Sequence, residues 1–201
     1  MTTGEARRPR GRPRDTTLES RVLEAATELL LEGGVAACTV EAVSKRSGVS
    51  KPTIYRRWPQ RTALAIDAFA AHIAHQVPLA ETADTAADLL GSVTALAGQY
   101  QGRDGRVFVE LIAAAVLEPG TADLLNERFF APRREALRAL WKRGVDLGQL
   151  DPHVDADLMI DLLFGPTTFR MLLGRQIDAE TALELARAAL RGFTTHPTHD
   201  Q

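Results

Sequence analysis

The sequence predicts an all-α protein, and three observations carry that prediction. Its composition is Ala- and Leu-rich, with 45% hydrophobic but only 5% aromatic residues. Apolar residues recur three and four positions apart in segment after segment, which is the period of one helix face. Glycine and proline separate those segments at Gly33-Gly34, Gly48, Pro59, Pro78 and Pro119-Gly120. At 201 residues the chain has mass for a real core, in one domain or two small ones.

The chain begins with a basic arm. Residues 1–14 hold Arg7, Arg8, Arg10, Arg12 and Arg14 around Pro9, Gly11 and Pro13, with little to bury, so disorder is expected. Pro9 to Pro13 resembles an AT-hook, with Arg10 and Arg12 placed to enter a narrow minor groove. A generic basic tail adding only screened attraction is the alternative.

Asp15 to Glu32 reads as the first helix, with Val22, Leu23, Ala26, Leu29 and Leu30 on one face and Gly33-Gly34 as its stop. Arg21 is placed either to touch a phosphate or to stand in solvent. Thr39 then caps a short helix whose apolar positions are Val40 and Val43. Gly48 reverses the chain in a left-handed conformation, Ser50 caps the next helix, and Pro52 sits in its first turn. Val49 and Ile54 face Val40 and Val43 across one small core, and Pro59 ends the unit.

This is the spacing of a helix-turn-helix. The outer face of its second helix carries Ser50, Lys51, Thr53, Tyr55, Arg56 and Arg57. Hydroxyls, a phenol and cations suit phosphate oxygens and base edges in a major groove. The alternative is an ordinary helical hairpin with a solvated basic face. Charge distribution points the same way as the motif. Residues 1–61 hold 12 Lys+Arg against 7 Asp+Glu, a net +5, while the remainder holds 12 against 19, a net −7. A polyanion partner is therefore expected at one end only.

Arg61 to about Gln76 reads as a fourth helix, broken at Val77-Pro78. His72 and His75 are spaced to share a metal but have no carboxylate or cysteine at ligand spacing, so a structural role is expected. Asp84 to about Gln101 carries Leu89, Leu90, Val93, Leu96 and Tyr100. Val107 to Leu117 is apolar nearly all round and reads as the central buried helix, with Glu110 expected at its wet edge, a polar group inside a pocket being the alternative. Thr121 opens a helix running to Val145, kinked or split at Pro132. Asp155 to Leu173, bent at Gly165-Pro166, and Asp178 to Phe193 close the fold. Thr194 onward is a polar tail.

A lone cysteine, Cys38, excludes an internal disulfide and fits a reducing compartment. It reads as a small filler; a thiolate favoured by the Thr39 helix dipole is the lesser alternative. No signal peptide or membrane-length apolar run is seen, so the cytoplasm is the expected location. The chain contains no Gly-rich phosphate loop, GxSxG, HExxH or cysteine cluster. His153, Asp155 and Asp157 lie close in sequence but in a helix-capping position. No catalytic residue, metal or cofactor is expected, and the chain is not read as an enzyme.

The stretch LLLEGGVAACTVEAVSKRSGVSKPTIYRRWPQRTAL, following an amphipathic helix, resembles the TetR family of bacterial transcriptional regulators. The matching positions are Gly33, Thr39, Gly48-Val49-Ser50, Tyr55, Trp58 and Leu64, and the match spans Leu18 to about Phe69. Two departures are Arg56-Arg57, where many relatives carry tyrosine and histidine, and Arg61, where a lysine is usual.

Composition gives a disordered arm (1–14) and a disordered tail (195–201), and the resemblance implies a helix-turn-helix domain (15–61) and a helical ligand-binding and dimerisation domain (62–194) between them. It further implies that Thr39, Ser50, Lys51, Thr53, Tyr55, Arg56 and Arg61 contact double-stranded operator DNA. Lys51, Thr53 and Arg56 are the expected base readers. The fourth helix would link the domains and move with ligand.

Candidate pocket residues are Phe69, Ile73, Leu96, Tyr100, Phe108, Ile112 and Trp141, which any helical core would also contain. A largely apolar effector is expected. Leu158, Leu162, Phe169, Leu185, Ala189 and Phe193 line the last two helices as a homodimer surface, or else close the monomer's own core. The expected function is a homodimeric, ligand-released repressor on a palindrome. The alternative is an architectural protein binding DNA through its arm without sequence preference.

Overall fold

The computed structural model describes residues 13–175 and 177–191, with side chains from residue 17 on. The described residues are helical with no strand. In chain order they are α1 (Pro13–Ala37), α2 (Val40–Ser47), α3 (Lys51–Arg57), α4 (Arg61–Gln76), α5 (Thr85–Gln99) and α6 (Arg103–Leu117). Then follow α7 (Thr121–Leu125), a π-helical turn (Asn126–Phe130), α8 (Ala131–Asp146), α9 (Ala156–Leu172) and α10 (Ala179–Arg191). Arg10, Arg12 and Phe193, with residues 1–12 of the arm and the tail, lie outside the described residues; Pro13 and Arg14, expected in the arm, already belong to α1.

The stop expected at Gly33-Gly34 is present: the helix breaks at Gly34, and the remainder of α1 to Ala37 follows across the kink. Gly34 sits at φ 73°, ψ −169°, which an L side chain resists. Space forbids one as well: a Cβ there would stand 2.4 and 2.6 Å from the carboxylate oxygens of Glu110. That carboxylate accepts from the Val35 N–H at 2.6 Å. Glu110 is thus half-buried, joins α6 to the end of α1 and lines a cavity, in keeping with the pocket alternative.

α4 starts and ends at the expected residues, and it is the buried centre. Ala63 to Ile66, Ala68, Phe69 and Ile73 are all buried. The expectation that α6 holds this place is wrong beyond its middle: Val107, Phe108 and Leu111 are buried, but Val116 and Leu117 are each 79% exposed. An all-round apolar pattern marks low polarity, and here the last turn projects past the helices that cover the rest.

The split expected near Pro132 is a π-helical turn placed just ahead of it. Proline has no N–H to donate and its ring crowds the carbonyl four residues back, so the preceding turn widens. α9 runs through Gly165-Pro166 as one helix. Its cap is Asp155, which accepts from the Leu158 N–H at 2.9 Å, and Asp178 does the same for Thr181 at 2.7 Å.

Two apolar cores result. The first joins α1 to α4 with Tyr100, Val107, Phe108, Leu111, Leu125 and Phe129. The second joins α5, α8, α9 and α10 around Leu89, Trp141, Met159, Leu163 and Ala186. Polar pins cross both. His72 Nε2 lies 2.8 Å from Asp104, which also accepts from Gln99 at 2.7 Å. His75 is exposed. Asp88, almost wholly buried, accepts from Arg143 at 2.5 Å and from the Thr82 hydroxyl at 2.8 Å.

Candidate nucleic-acid interface

The helix-turn-helix is built as its residues dictate. Thr39 Oγ1 accepts from the Ala42 N–H at 3.1 Å, and Gly48 turns the chain at φ 70°, ψ 14°. Val40, Val43, Val49, Ile54 and Trp58 are buried against Val22, Ala26 and Leu30 of α1. Ser44 Oγ donates to the Val49 carbonyl at 2.7 Å, and the Val49 N–H donates to Ser47 Oγ at 3.2 Å. Arg21 reaches over from α1 and donates to the Ser47 carbonyl at 2.5 Å. Its sequence reading left it to a phosphate or to solvent; the structure gives it the turn itself.

The outer face of α3 presents Ser50, Lys51, Tyr55, Arg56 and Arg57 to solvent, with Thr53 half-buried among them. Ser50 occupies the cap position without accepting a backbone N–H; its hydroxyl meets that of Thr53 at 2.8 Å. Tyr55 is 51% exposed, although an aromatic ring of that size gains by burial. The cations differ in freedom. Lys51 pairs with Glu41 at 3.1 Å, and Arg57 pairs with Glu19 at 2.5 Å while lying over the Trp58 ring. Arg56 and Arg61 are exposed and form no ion pair among the described residues.

Cys38, at the foot of this unit, is fully buried, and burial pushes its thiol up to about 11, with Arg61 opposing weakly. A thiolate there is not favoured, so the filler reading holds.

Behind α3 the contacts lead inward. Trp58 Nε1 donates to Asp67 Oδ2 of α4 at 2.7 Å, and Arg128 of the π-helical turn donates to the same oxygen at 2.7 Å. The next residues, Phe129 and Phe130, join an aromatic cluster with Phe69, Tyr100 and Phe108, whose centroids lie between 4.8 and 6.5 Å apart.

Tyr100, Phe108, Phe129 and Phe130 of that cluster line a cavity of about 530 Å³, a size typical of small-molecule sites. Leu96, Tyr100 and Phe108 line it, as the sequence led one to expect. Phe69, Ile73, Ile112 and Trp141 do not: Phe69 backs the lining rings, Ile73 and Ile112 belong to the first core, and Trp141 belongs to the second. Lining residues that the sequence reading missed include Phe129, Phe130, Arg133, Leu137, Phe164 and Thr168. An apolar period from Thr121 to Val145 was legible for Phe129 and Phe130 of the π-helical turn and Leu137 of α8; nothing local marked Arg133. A second cavity of about 540 Å³ lies across α9 and shares Tyr100 and Leu172 with the first.

On α9, Leu158 is 52%, Leu162 40% and Phe169 62% exposed. Leu172 and Leu173 extend this stripe. On α10, Leu185 and Ala189 are half-buried. No helix among the described residues is long and apolar enough to cross a membrane.

The chain matches two family models: that of bacterial regulatory proteins of the tetR family over residues 22–68, and that of the tetracyclin repressor-like C-terminal domain over residues 79–189. It is 35% identical to the HTH-type transcriptional regulator YdeS of Bacillus subtilis (strain 168), over 91% of this chain and 93% of that protein. It is 27% identical to the HTH-type transcriptional regulator AqdR of Rhodococcus erythropolis, over 82% of this chain and 79% of that one. The crystal structure of the TetR family transcription regulator SCO0332 superposes with a TM-score of 0.81 at 32% identity, covering 90% of this chain and 99% of that one. With a two-helix reading head of free and tethered cations wired to a second helical domain, the chain belongs to the TetR family of transcriptional regulators and binds DNA through its helix-turn-helix.

Proposed function

We propose that this regulator is a homodimeric repressor that reads a palindromic operator and releases it when a largely apolar effector occupies the aromatic cavity. Lys51, Thr53 and Arg56 read bases, while Thr39, Ser50, Tyr55 and Arg61 hold phosphates. Arg10 and Arg12 add a minor-groove contact from the arm. Two chains pair through Leu158, Leu162, Phe169, Leu185 and Ala189, with Phe193 in the same series. That pairing would set two α3 helices about 34–36 Å apart on successive major grooves.

One observation carries the coupling. The π-helical turn holds two cavity rings, Phe129 and Phe130, and the guanidinium of Arg128, which shares an oxygen of Asp67 with Trp58 at the end of α3. A ligand pressing those rings acts on the same three-residue link that seats α3. The coupling energy is the ligand's differential affinity for two positions of that link.

The test is selection of bound sequences from random duplex DNA, using the full chain and a form lacking residues 1–14. A palindrome from both supports a dimeric reader; AT-rich flanks from the full chain alone place the arm in the minor groove. No enrichment with either, together with steep salt dependence, would leave only sequence-tolerant binding.

A further inference from the structure

We propose that the ligand of the aromatic cavity is an organic monocarboxylate with an apolar, ring-bearing body, its carboxylate held by Arg133. The proposal rests on the reading of that cavity as the effector site and adds the chemical class of what enters it.

The wall is mostly rings and aliphatic side chains, and Arg133 breaks it. Its Nη1 has a long 3.5 Å contact to the Val77 carbonyl. Its Nε and Nη2 are shut off from water and have no hydrogen-bond partner among the described residues. It also forms no ion pair among them. An unpaired cation under apolar cover is costly, and such groups ordinarily find a carboxylate. Burial accordingly lowers the hold of this guanidinium on its proton, with Tyr100 opposing.

The unpartnered donors are the right two. Nε and Nη2 form the side edge of a guanidinium, which matches both oxygens of one carboxylate. Arg138, five residues along the same helix, uses that edge on Asp157: Nε lies 3.1 Å and Nη2 2.8 Å from Oδ1, with Nη2 3.0 Å from Oδ2. Turning the same edge of Arg133 into the cavity breaks no ion pair and only the long contact to Val77.

The charge count sets the class. Arg134 also lines the cavity, but it is engaged with Asp161 and Asp157. One uncompensated positive charge remains, which suits a monoanion and leaves a phosphate dianion half unmatched. The rings of Tyr100, Phe108, Phe129, Phe130 and Phe164 favour a flat apolar body beside it.

The experiment is calorimetric titration of the full chain with three acids, naphthalene-2-carboxylate, biphenyl-4-carboxylate and decanoate, each against its primary amide. The amide keeps the shape and removes the charge. At least one acid binds tenfold or more tighter than its amide, and a ring-bearing acid binds tighter than decanoate. Arg133→Gln brings acid and amide within about twofold by removing the charged fork, and a far-UV circular dichroism spectrum matching the wild type shows that the variant is folded. Arg133→Lys, with charge but no fork, keeps part of the preference. Equal binding of acids and amides, or a preference surviving in Arg133→Gln, overturns the assignment and leaves the cavity reading standing. Binding by none of the acids or amides overturns both.

Discussion

Replacing Asp67 by asparagine keeps the side chain's shape and removes its charge. One oxygen, Oδ2, now accepts from Trp58 Nε1 and Arg128 Nη1, both at 2.7 Å. The Trp58 ring is 1% exposed, whereas Arg128 and Asp67 are 31% and 25% exposed. The Arg128 pair is therefore partly screened, and its loss costs about 1 kcal/mol. The Trp58 bond is dry. Exchanging its charged acceptor for a neutral one costs about 1 kcal/mol more, because hydrogen bonds to ions contribute roughly twice as much as neutral ones. Asp67→Asn should thus lose about 2 kcal/mol in urea unfolding and melt about 4–8 °C lower. Asp67→Ala, which leaves the buried indole N–H unpaired, should lose about 3 kcal/mol. Operator affinity measured by fluorescence anisotropy should fall in both variants, and ligand should change it less than in the wild type. A loss under about 0.5 kcal/mol, the ordinary range for a surface change, would refute the link, as would a full ligand response in a variant that is destabilised as expected.

Three further outcomes are expected. Arg61→Ala should weaken operator binding and reduce the salt slope by about 1, whereas Arg57→Ala should change the slope less, since Arg57 is already paired with Glu19; equal slopes by anisotropy titration would contradict the distinction. Gly34→Ala forces a Cβ onto Glu110 in a left-handed backbone, so a loss of about 2–3 kcal/mol by thermal unfolding is expected. Burial raises the Asp88 pKa, but the Thr82 and Arg143 hydrogen bonds outweigh it and hold the carboxyl below its ordinary value. A depressed carboxylate stabilises the fold above its unfolded pKa of about 3.9. That stability is lost as pH falls below about 4, so Asp88→Asn should be less stable at neutral pH and flatter through the acid range.

What could be read from the sequence was local. Thr39 and Gly48 announce their roles through bonds three and four residues long, and α4 is bounded by breakers on both sides. What could not be read was the pairing of distant residues. Arg21 meets Ser47 across 26 positions, Asp67 meets Arg128 across 61 and Val35 meets Glu110 across 75. Arg21, Asp67, Arg128 and Glu110 are unremarkable charged residues on helices until packing brings their partners near. The cavity was legible only in part for the same reason. Leu96, Tyr100 and Phe108 share an apolar pattern with Phe69 and Trp141, and periodicity does not tell a ring that lines a cavity from one packed behind it. The position of α6 shows the opposite error: Val116 and Leu117 continue its apolar pattern into solvent.

Phe169 and Leu172 belong both to the rim of the aromatic cavity and to the exposed stripe of α9. Two chains meeting along that stripe would each lay their seam across the other's doorway. Passage in and out would then wait on the seam's opening, so the dwell time of a bound molecule would follow subunit exchange as much as the contacts inside. Such a sensor would take its memory from its neighbour: scarce chains would forget a signal quickly, and abundant ones would hold it.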